Sequence, residues 1–404
     1  LAGSNITIIS SEEIAKSTGK DITEILKSYS GIQVRSLYSG IDGINSTIDM
    51  RGFGEASSSN FLMLLNGRKL NDLDMGGINF SNIPIASIDR IEILKGPQGS
   101  IYGSSAAGGV ISIITKGNSK KGMNTSFLSS FGSYGTVSTT LNTGYSAEKW
   151  DLNLSMNGIH SDGFSAKNSV EEEEKDSFNS AKTSFKGSIK NDNNLKIFGT
   201  LRQIDSKIQY DNAWTTNDFN KLRQTAGSIK IEKNIKKIDS FIQFAKQRTV
   251  RQFGTYQYYG DTFNFDFLNQ YKIFSNHNIT FGFEYDDEKY NDKTLRADKD
   301  RHSFLVGVNG ITKNNVGYDF SLRKENDSSY GSQESTRTEA YYLINPNLRF
   351  ALSNSTGFRN PSLYEMFDST YGTKTLTPET TETNRMTISG KSKTIHGGYS
   401  LNAY

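Results

Sequence analysis

Residues 88–116, IDRIEILKGPQGSIYGSSAAGGVISIITK, constrain the fold of this chain more than any other segment. The segment opens with Ile and Leu alternating with charged residues, a period-two pattern typical of a strand with one solvent-exposed face. Residues 95–99 form a turn, because Gly permits positive φ and Pro fixes φ while removing a donor. Glycines up to Gly109 allow close backbone approach, and the β-branched residues 110–115 follow. The segment therefore predicts two strands joined by a compact glycine-rich connection.

A glycine-rich turn is also found in phosphate-binding loops. Those loops need a strand, the glycines and then a helix whose N-terminus meets the phosphate. Here the glycines lead into a β-branched run, and neither GK[ST] nor GxGxxG is present. The sequence therefore argues against nucleotide binding.

The same segment resembles, almost residue by residue, the RIEVLRGP…YG…GGVINIIT signature of the plug domain of TonB-dependent outer-membrane receptors. Residues 49–52 resemble the plug element IRGF, and residues 61–68 resemble VLVLIDGVR. Near the N-terminus, Ser10 and Glu13 have the spacing of a capping box and predict a helix start. The resemblance implies a plug domain over residues 1–118 and a β-barrel domain over residues 122–404.

The chain from Gly122 onward alternates apolar and polar residues between short turns rich in Asn and Lys. Short turns at one end and longer polar loops at the other are typical of outer-membrane barrels, and 20 Tyr and 24 Phe suit their aromatic girdles. A soluble β-sandwich shows similar alternation, and the strands alone do not separate the two folds. The resemblance to a plug favours the barrel. No apolar run of roughly 18 residues is present, so a transmembrane helix is not expected.

About fifteen strands can be counted, whereas plugged transporters have about 22. Residues 358–367 resemble the FRAPSLYELY box, which lies in the middle of the barrel in that family, and residues 376–379 resemble NLKPE. We therefore expect a mainly β chain: a transmembrane antiparallel β-barrel of the 22-stranded type, lacking C-terminal strands, with an N-terminal α+β plug domain in its lumen. We also expect a fragment, with the signal peptide and the TonB-contacting box upstream of Leu1.

Several function classes are disfavoured by composition and motifs. A formal net charge of +3 gives no case for nucleic acid, and the absence of Cys excludes disulfides and thiolate metal sites. The four His are scattered without an HExxH motif, and Ser104 and Ser105 lie outside any GxSxG context. We therefore expect no enzymatic activity and no catalytic cofactor.

An acidic loop offers a candidate cation site. Glu172, Glu174 and Asp176 are spaced two apart, so an extended segment would place their side chains on one side, and hard cations take six to eight oxygen ligands. A solvated loop is the alternative. The arrangement resembles the calcium site of the cobalamin transporter subfamily, which implies structural Ca²⁺ held with further ligands from the next loop: Tyr210, Asp211 and Asp218. Glu at the first two triplet positions, and Ser165 near the place of an upstream Asp, depart from that pattern.

The resemblance also implies substrate contacts on the apical plug loops, although the same residues would suit ordinary polar turns. The candidates are Asn45, Thr47, Glu55, Asp74, Met75 and Gly76. A second set resembles the buried charges that hold the plug to the barrel wall as a latch: Arg51, Arg90 and Glu92.

As a whole, the resemblance implies TonB-dependent active transport of a scarce metal-chelate nutrient across the bacterial cell outer membrane. Compact loops, the position of the FRNP box and the acidic loop favour cobalamin. The alternatives are a ferric-siderophore or haem receptor and, in a different class, a surface β-sandwich adhesin. No His lies between Phe358 and Glu379, which counts against haem. The implied partners are TonB with its energising inner-membrane complex, the metal-chelate ligand, and outer-membrane lipid and lipopolysaccharide around a monomer.

Overall fold

The computed structural model describes residues 6–17, 22–36, 46–50, 52, 54, 57–73, 80, 83–117, 121–165, 175–211, 218–368, 370–392 and 397–404. The N-terminal domain contains β1 (Ile6–Ile9), α1 (Ser11–Lys16), α2 (Ile22–Lys27), β2 (Gln33–Ser36), β3 (Ser46–Asp49), α3 (Ser57–Asn60), β4 (Phe61–Leu65), β5 (Arg68–Lys69), a 3-10 helix (Ile85–Ser87), β6 (Ile88–Lys95), α4 (Gly99–Tyr102) and β7 (Gly109–Thr115). The predicted capping box is confirmed at Ser10 and Glu13, which bond reciprocally at the start of α1.

The N-terminal domain is built on a five-stranded sheet in the order β1-β6-β7-β4-β5. The two strands predicted within residues 88–116 are confirmed as β6 and β7, which pair antiparallel, with Ile91 opposite Ile113. A single helical turn, α4, lies between them. At Gly109 φ is +150°, and a Cβ there would lie 2.4 Å from the carbonyl oxygen of Leu94, so only glycine fits this close approach. Buried Ile, Leu, Met and Phe side chains pack between the sheet and α1 and α2.

In the part of the chain that the structure describes, a second sheet contains 15 antiparallel strands in strict sequence order. They are β8 (Gly122–Gly132), β9 (Thr136–Ser146), β10 (Trp150–Ser161), β11 (Phe178–Lys190), β12 (Leu195–Tyr210), β13 (Asp218–Ile235), β14 (Ile238–Phe253), β15 (Tyr256–Phe274), β16 (His277–Asp292), β17 (Arg296–Ile311), β18 (Val316–Asp327), β19 (Gly331–Asn345), β20 (Leu348–Arg359), β21 (Glu379–Ser392) and β22 (Gly397–Ala403); α5 (Leu363–Phe367) lies between β20 and β21. The mainly β fold and the count of about fifteen strands are confirmed. In the described part of the sheet, β8 and β22 form the two edges.

The faces of the large sheet are reversed relative to a water-soluble sheet. Along β18, the polar Ser321, Arg323 and Glu325 are 6%, 2% and 0% exposed, whereas Phe320 and Leu322 between them are 41% and 37% exposed. Apolar side chains pointing out and polar side chains pointing in are the pattern of strands that face lipid. No helix in the described residues is both long enough and apolar enough to cross a membrane.

The polar face of the large sheet surrounds the N-terminal domain. The hydroxyl of Ser321 on β18 lies 2.9 Å from that of Ser100 on α4. At strands far from β18, Arg385 of β21 donates to the carbonyl oxygen of Lys95, and Lys186 of β11 donates to that of Thr115. Contacts spread from β11 to β21 show that the N-terminal domain lies in the concavity of the sheet.

The connections differ in length at the two ends of the sheet. At one end they are short throughout the described part, as at residues 236–237 and 275–276. At the other end, residues 162–177, 211–217 and 360–378 form long connections, but residues 133–135, 254–255, 293–295 and 328–330 are only two- or three-residue turns. The expected alternation of short turns and longer loops is therefore only partly right, because four of the connections at the second end are as short as those at the first.

Candidate functional site

The β4–β5 hairpin of the N-terminal domain presents two cations to the large sheet. Asn66 and Gly67 at its tip both have positive φ, 52° and 81°, as a two-residue type I′ turn requires. This turn places Arg68 and Lys69 on β5, at the edge of the five-stranded sheet. Asn71 and Asp72, which follow Leu70, lie at the same contact between the N-terminal domain and the large sheet. The contact is the candidate functional site, since it holds one domain inside the other.

Lys69 enters a buried charge network on β16, β17 and β18. Its Nζ donates to Asp286 Oδ2 at 3.0 Å and to Glu284. Arg301 Nε lies 3.1 Å from Asp286 Oδ2, and Arg323 Nη2 lies 2.8 Å from Glu284 Oε2. The Asp286, Arg301 and Arg323 side chains are 1%, 7% and 3% exposed. Buried charges are tolerated when each has an oppositely charged partner, as the members of this network do.

The carboxylates also decide the charge state of Lys69. Burial acts to lower its pKa, but the attraction of Asp286 and Glu284 outweighs burial, so the pKa of Lys69 is raised. Lys69 is therefore protonated at neutral pH and acts as a permanent cation bridging the two domains.

A second polar anchor is formed by Asp72. Arg251 Nη2 of β14 donates to Asp72 Oδ2 at 2.9 Å, and the Tyr258 hydroxyl of β15 donates to Oδ1 at 2.9 Å. The Tyr258 ring stacks on Tyr290 with centroids 4.8 Å apart. One carboxylate thus receives donors from two neighbouring strands.

Two cavities adjoin the Lys69 network on opposite sides. One, of about 110 Å³, is lined by Asn71, Asp72, Lys299, Arg301 and Asn360, near the end of the sheet that carries residues 360–378. The other, of about 450 Å³, has a mixed lining in which Leu62, Phe241, Leu268 and Leu305 are apolar, and it lies in the strand halves next to the short connections. Lys69 lines both cavities. It therefore stands at the boundary between an outer and an inner space.

The long connection after β20 closes over the outer cavity. Arg359 bonds Glu365 of α5 at 2.8 Å and Glu379 of β21 at 2.7 Å, which fixes both ends of residues 360–378. The backbone nitrogen of Asn360 donates to Ser104 of the N-terminal domain at 3.0 Å. The FRNP segment therefore contacts the N-terminal domain directly.

Many residues predicted to contact substrate lie outside the described residues: Asn45, Glu55, Asp74, Met75 and Gly76. Thr47 is described and lies on β3, opposite Arg35, with 8% of its surface exposed. Its role as a substrate contact stays a prediction.

The candidate calcium ligands are partly described. Glu172 and Glu174 lie outside the described residues, whereas Asp176 and Asp211 are 2% and 8% exposed. The two long connections approach each other, since the Ser165 hydroxyl donates to Asp211 Oδ2 at 3.0 Å, and Tyr210 lies opposite Asp218 at the ends of β12 and β13. Among the described residues, no three His, Asp or Glu side chains are grouped closely enough to hold a metal ion. The donors fit Ca²⁺ in kind, and the calcium site stays a prediction.

The latch residues differ from the expectation. Arg51 lies outside the described residues. Arg90 is not buried as expected, because its side chain is 43% exposed, and it pairs with Glu92 at 2.8 Å and Asp89 at 3.2 Å on its own strand, β6. The hydrogen bond to Glu92, ahead of other contributions, raises the pKa of Arg90. Any latch role for Arg90 and Glu92 stays a prediction.

Three polar residues that link the two domains escaped the sequence analysis: Arg68, Lys69 and Asp72. The only local signal was the Asn66-Gly67 turn ahead of two cations, which predicts an exposed hairpin tip. Lys69 and Glu284 are 215 positions apart, and no pattern in one chain pairs residues over that distance.

Comparisons with known proteins agree with this architecture. Residues 2–110 match the family model of the TonB-dependent Receptor Plug Domain. The Vitamin B12 transporter BtuB of Vibrio cholerae is 26% identical over 400 residues, covering 96% of this chain and 64% of the relative. The Vitamin B12 transporter BtuB of Vibrio vulnificus (strain CMCP6) is 40% identical over 109 residues, covering 27% of this chain and 17% of the relative. This chain therefore spans slightly less than two thirds of the length of such curated relatives.

Solved structures share the fold at low identity. The siderophore receptor PirA from Pseudomonas aeruginosa superposes with a TM-score of 0.77 at 18% identity, covering 96% of this chain and 72% of that one. A mutant of the ferric enterobactin receptor PfeA from the same organism gives a TM-score of 0.81 at 16% identity, covering 97% of this chain and 70% of that one. These identities speak for the fold alone.

Proposed function

Because this chain is a TonB-dependent receptor of the bacterial outer membrane, with its plug domain at the N-terminal end, we propose that it imports a scarce metal-chelate nutrient and that this nutrient is cobalamin. The likeness to vitamin B12 transporters carries the proposal, since it extends over 96% of the chain rather than over the plug alone. The proposed partners are the nutrient on the outer side and TonB, driven by its inner-membrane complex, on the periplasmic side.

The arrangement of the plug suits removal by force. Within the described residues, β1 is an edge strand of the plug sheet and pairs with β6 over four residue pairs. A force applied at the N-terminal end would therefore act first on the four β1–β6 pairs and only then on the central strands of the sheet. The plug also meets the barrel wall through discrete polar contacts, at Lys69 and Asp72, which can re-form with water when the plug moves.

Lys69 acts in this proposal as the barrier between the outer and inner cavities. The outer cavity, of about 110 Å³, is far smaller than the nutrient and takes only part of it. Movement of β5 away from Glu284 and Asp286 would join it to the inner cavity of about 450 Å³. Nutrient would then pass between plug and wall along β14–β18.

The calcium site is proposed as a brace between the two neighbouring outer loops. Its ligands would be Glu172, Glu174, Asp176, Tyr210, Asp211 and Asp218. The closeness of these loops at Ser165 and Asp211 supports a shared ion, which would order both of them for nutrient capture.

Calorimetric titration of the full-length, detergent-solubilised gene product with cyanocobalamin tests both proposals, with calcium and then with a chelator. Tight binding that weakens under chelator, and likewise in Asp176→Asn and Asp211→Asn, supports both. Asp192→Asn is the matched control, because Asp192 lies in a turn at the opposite end of the sheet with its side chain 80% exposed.

Two other outcomes separate the proposals. Tight binding indifferent to chelator keeps cobalamin and rejects calcium. No binding under either condition rejects cobalamin, and titration with ferric siderophores then becomes the decisive measurement. Extraction into buffer without detergent would contradict the transporter itself and favour a surface adhesin.

A further inference from the structure

A third cavity lies between the plug and the wall formed by β10, β11 and β12. Its volume is about 60 Å³. Four cationic side chains line it: Arg68 from the plug, and Lys182, Lys186 and Arg202 from the wall. None of the described lining residues is acidic. The charged groups of this lining are therefore all basic, and carboxylates from outside the lining, Asp151 and Asp89, act on Lys186.

Arg68 and Arg202 both donate hydrogen bonds to neutral amide oxygens. Arg68 Nη1 donates to Gln247 at 2.8 Å, and Arg202 Nη2 donates to the amide oxygen of Gln224. Lys182 Nζ donates to the amide oxygen of Asn157 at 3.0 Å. Within the described part of the chain, no carboxylate forms a salt bridge with Arg68 or Arg202, and the buried Nε of Arg202 has no hydrogen-bond partner.

Burial of cations without a counter-charge is costly. Arg68 is 6% exposed, and burial lowers its pKa to about 10. Lys69, the next residue, experiences the opposite shift because carboxylates surround it. Like charges at short range in a low-dielectric interior also repel strongly. A negative charge from outside the chain would relieve both effects.

We propose that this cavity binds a small inorganic oxoanion such as phosphate. Guanidinium and ammonium groups are the strongest donors for such an ion, and the hydroxyls of Ser155, Ser184 and Thr200 line the same space. The volume admits a few water molecules or one oxoanion and excludes an organic nutrient. The ion would bridge Arg68 of the plug to Lys182 and Arg202 of the wall. It therefore acts as a structural counter-ion that holds the plug, independent of which nutrient is carried.

The test is thermal unfolding of the full-length protein in detergent, in sodium phosphate and in sodium chloride of equal ionic strength. We expect phosphate to raise Tm by about 2–4 °C, because an ion bound only by the folded state stabilises it. In Arg202→Gln the phosphate response should disappear. In chloride the variant should unfold at or above the wild-type Tm, because one buried cation has been removed.

Arg223→Gln is the matched control, since Arg223 lies on the next strand but is exposed and pairs with Asp205. It should keep the full phosphate response. An equal response in wild type and Arg202→Gln would overturn the proposal by placing the phosphate effect elsewhere. An absent response in wild type, with Arg202→Gln less stable than wild type in chloride, would also overturn it, because the cations would then be compensated within the protein.

Discussion

Arg68 and Lys69 are neighbours on one hairpin, yet they meet two different kinds of barrel wall. Lys69 joins β16–β18, where Glu284, Asp286 and Glu325 balance Arg301 and Arg323. Arg68 donates a hydrogen bond to Gln247, and Lys182 and Arg202 line the same cavity. None of the described residues that line this cavity is acidic. The first wall has one carboxylate more than it has cations, and Lys69 of the plug completes its balance, whereas Arg68 adds a further positive charge to the second wall. The difference shows that charge balance at the plug contact is set strand by strand, not by the near-neutral total of the chain.

The largest effect is expected from breaking the balanced wall at its centre. Arg301→Leu leaves Asp286, Glu288 and Glu325 without the cation they share. The side chains of Asp286 and Glu325 are less than one-tenth exposed, so water cannot replace that cation. Removing one member of a buried ion network costs about 3–5 kcal/mol. Urea unfolding in detergent should report this loss in the free energy of unfolding. Arg248→Leu, in an exposed pair with Asp261, is the control and should change little.

The sharpest comparison is between the two hairpin neighbours. Lys69→Met should destabilise the plug contact by about 2–3 kcal/mol, because two carboxylates lose a charged partner. Arg68→Met, measured in chloride buffer, should be neutral or stabilising, because it removes a buried cation whose recorded partner is an amide. Hydrogen exchange at β4 and β7 should rise in the Lys69 variant only. A greater loss of stability in the Arg68 variant would show that the two walls do not differ as described.

A smaller effect is expected at the second anchor. Asp72→Asn keeps an acceptor for the Tyr258 hydroxyl but removes the negative charge opposite Arg251. The expected loss is about 1.5–2 kcal/mol, the lower range for a charged hydrogen bond. Urea unfolding of Asp72→Asn in detergent, with Asp192→Asn as the control, measures this loss in the free energy of unfolding. If the two variants unfold alike, Asp72 is not an anchor of the plug.

Much of the fold could be predicted from local patterns. The alternation in residues 88–95 and the β-branched residues 110–115 predicted the paired strands β6 and β7. Alternation from Gly122 onward predicted the strands of the large sheet, because each side chain on a strand points to the face opposite its neighbour's. The tight hairpins at the outer end were underestimated, although Gly135, Gly254 and Gly331 have the positive φ that marks a tight turn.

The candidate site could not be predicted in the same way. Alternation indicates that Glu284, Asp286 and Lys182 point away from lipid, but it does not indicate which inward residue meets the plug. That choice depends on sheet curvature and on the rotation of the plug inside it, which together bring Lys69 to β16 and Arg68 towards β12.

The sequence by itself determined the antiparallel pair β6 and β7, the strands of the large sheet and the kinship with plug-bearing receptors, because these follow from short-range periodicity and a local motif. Only the tertiary structure decided which charges are compensated. Pairing energy falls off within a few ångströms, so the fate of a buried cation depends on neighbours that are distant in sequence. Lys69 and Arg68 have adjacent positions and similar chemistry, and the wall that each one meets makes the first a bridge and the second part of a proposed anion site.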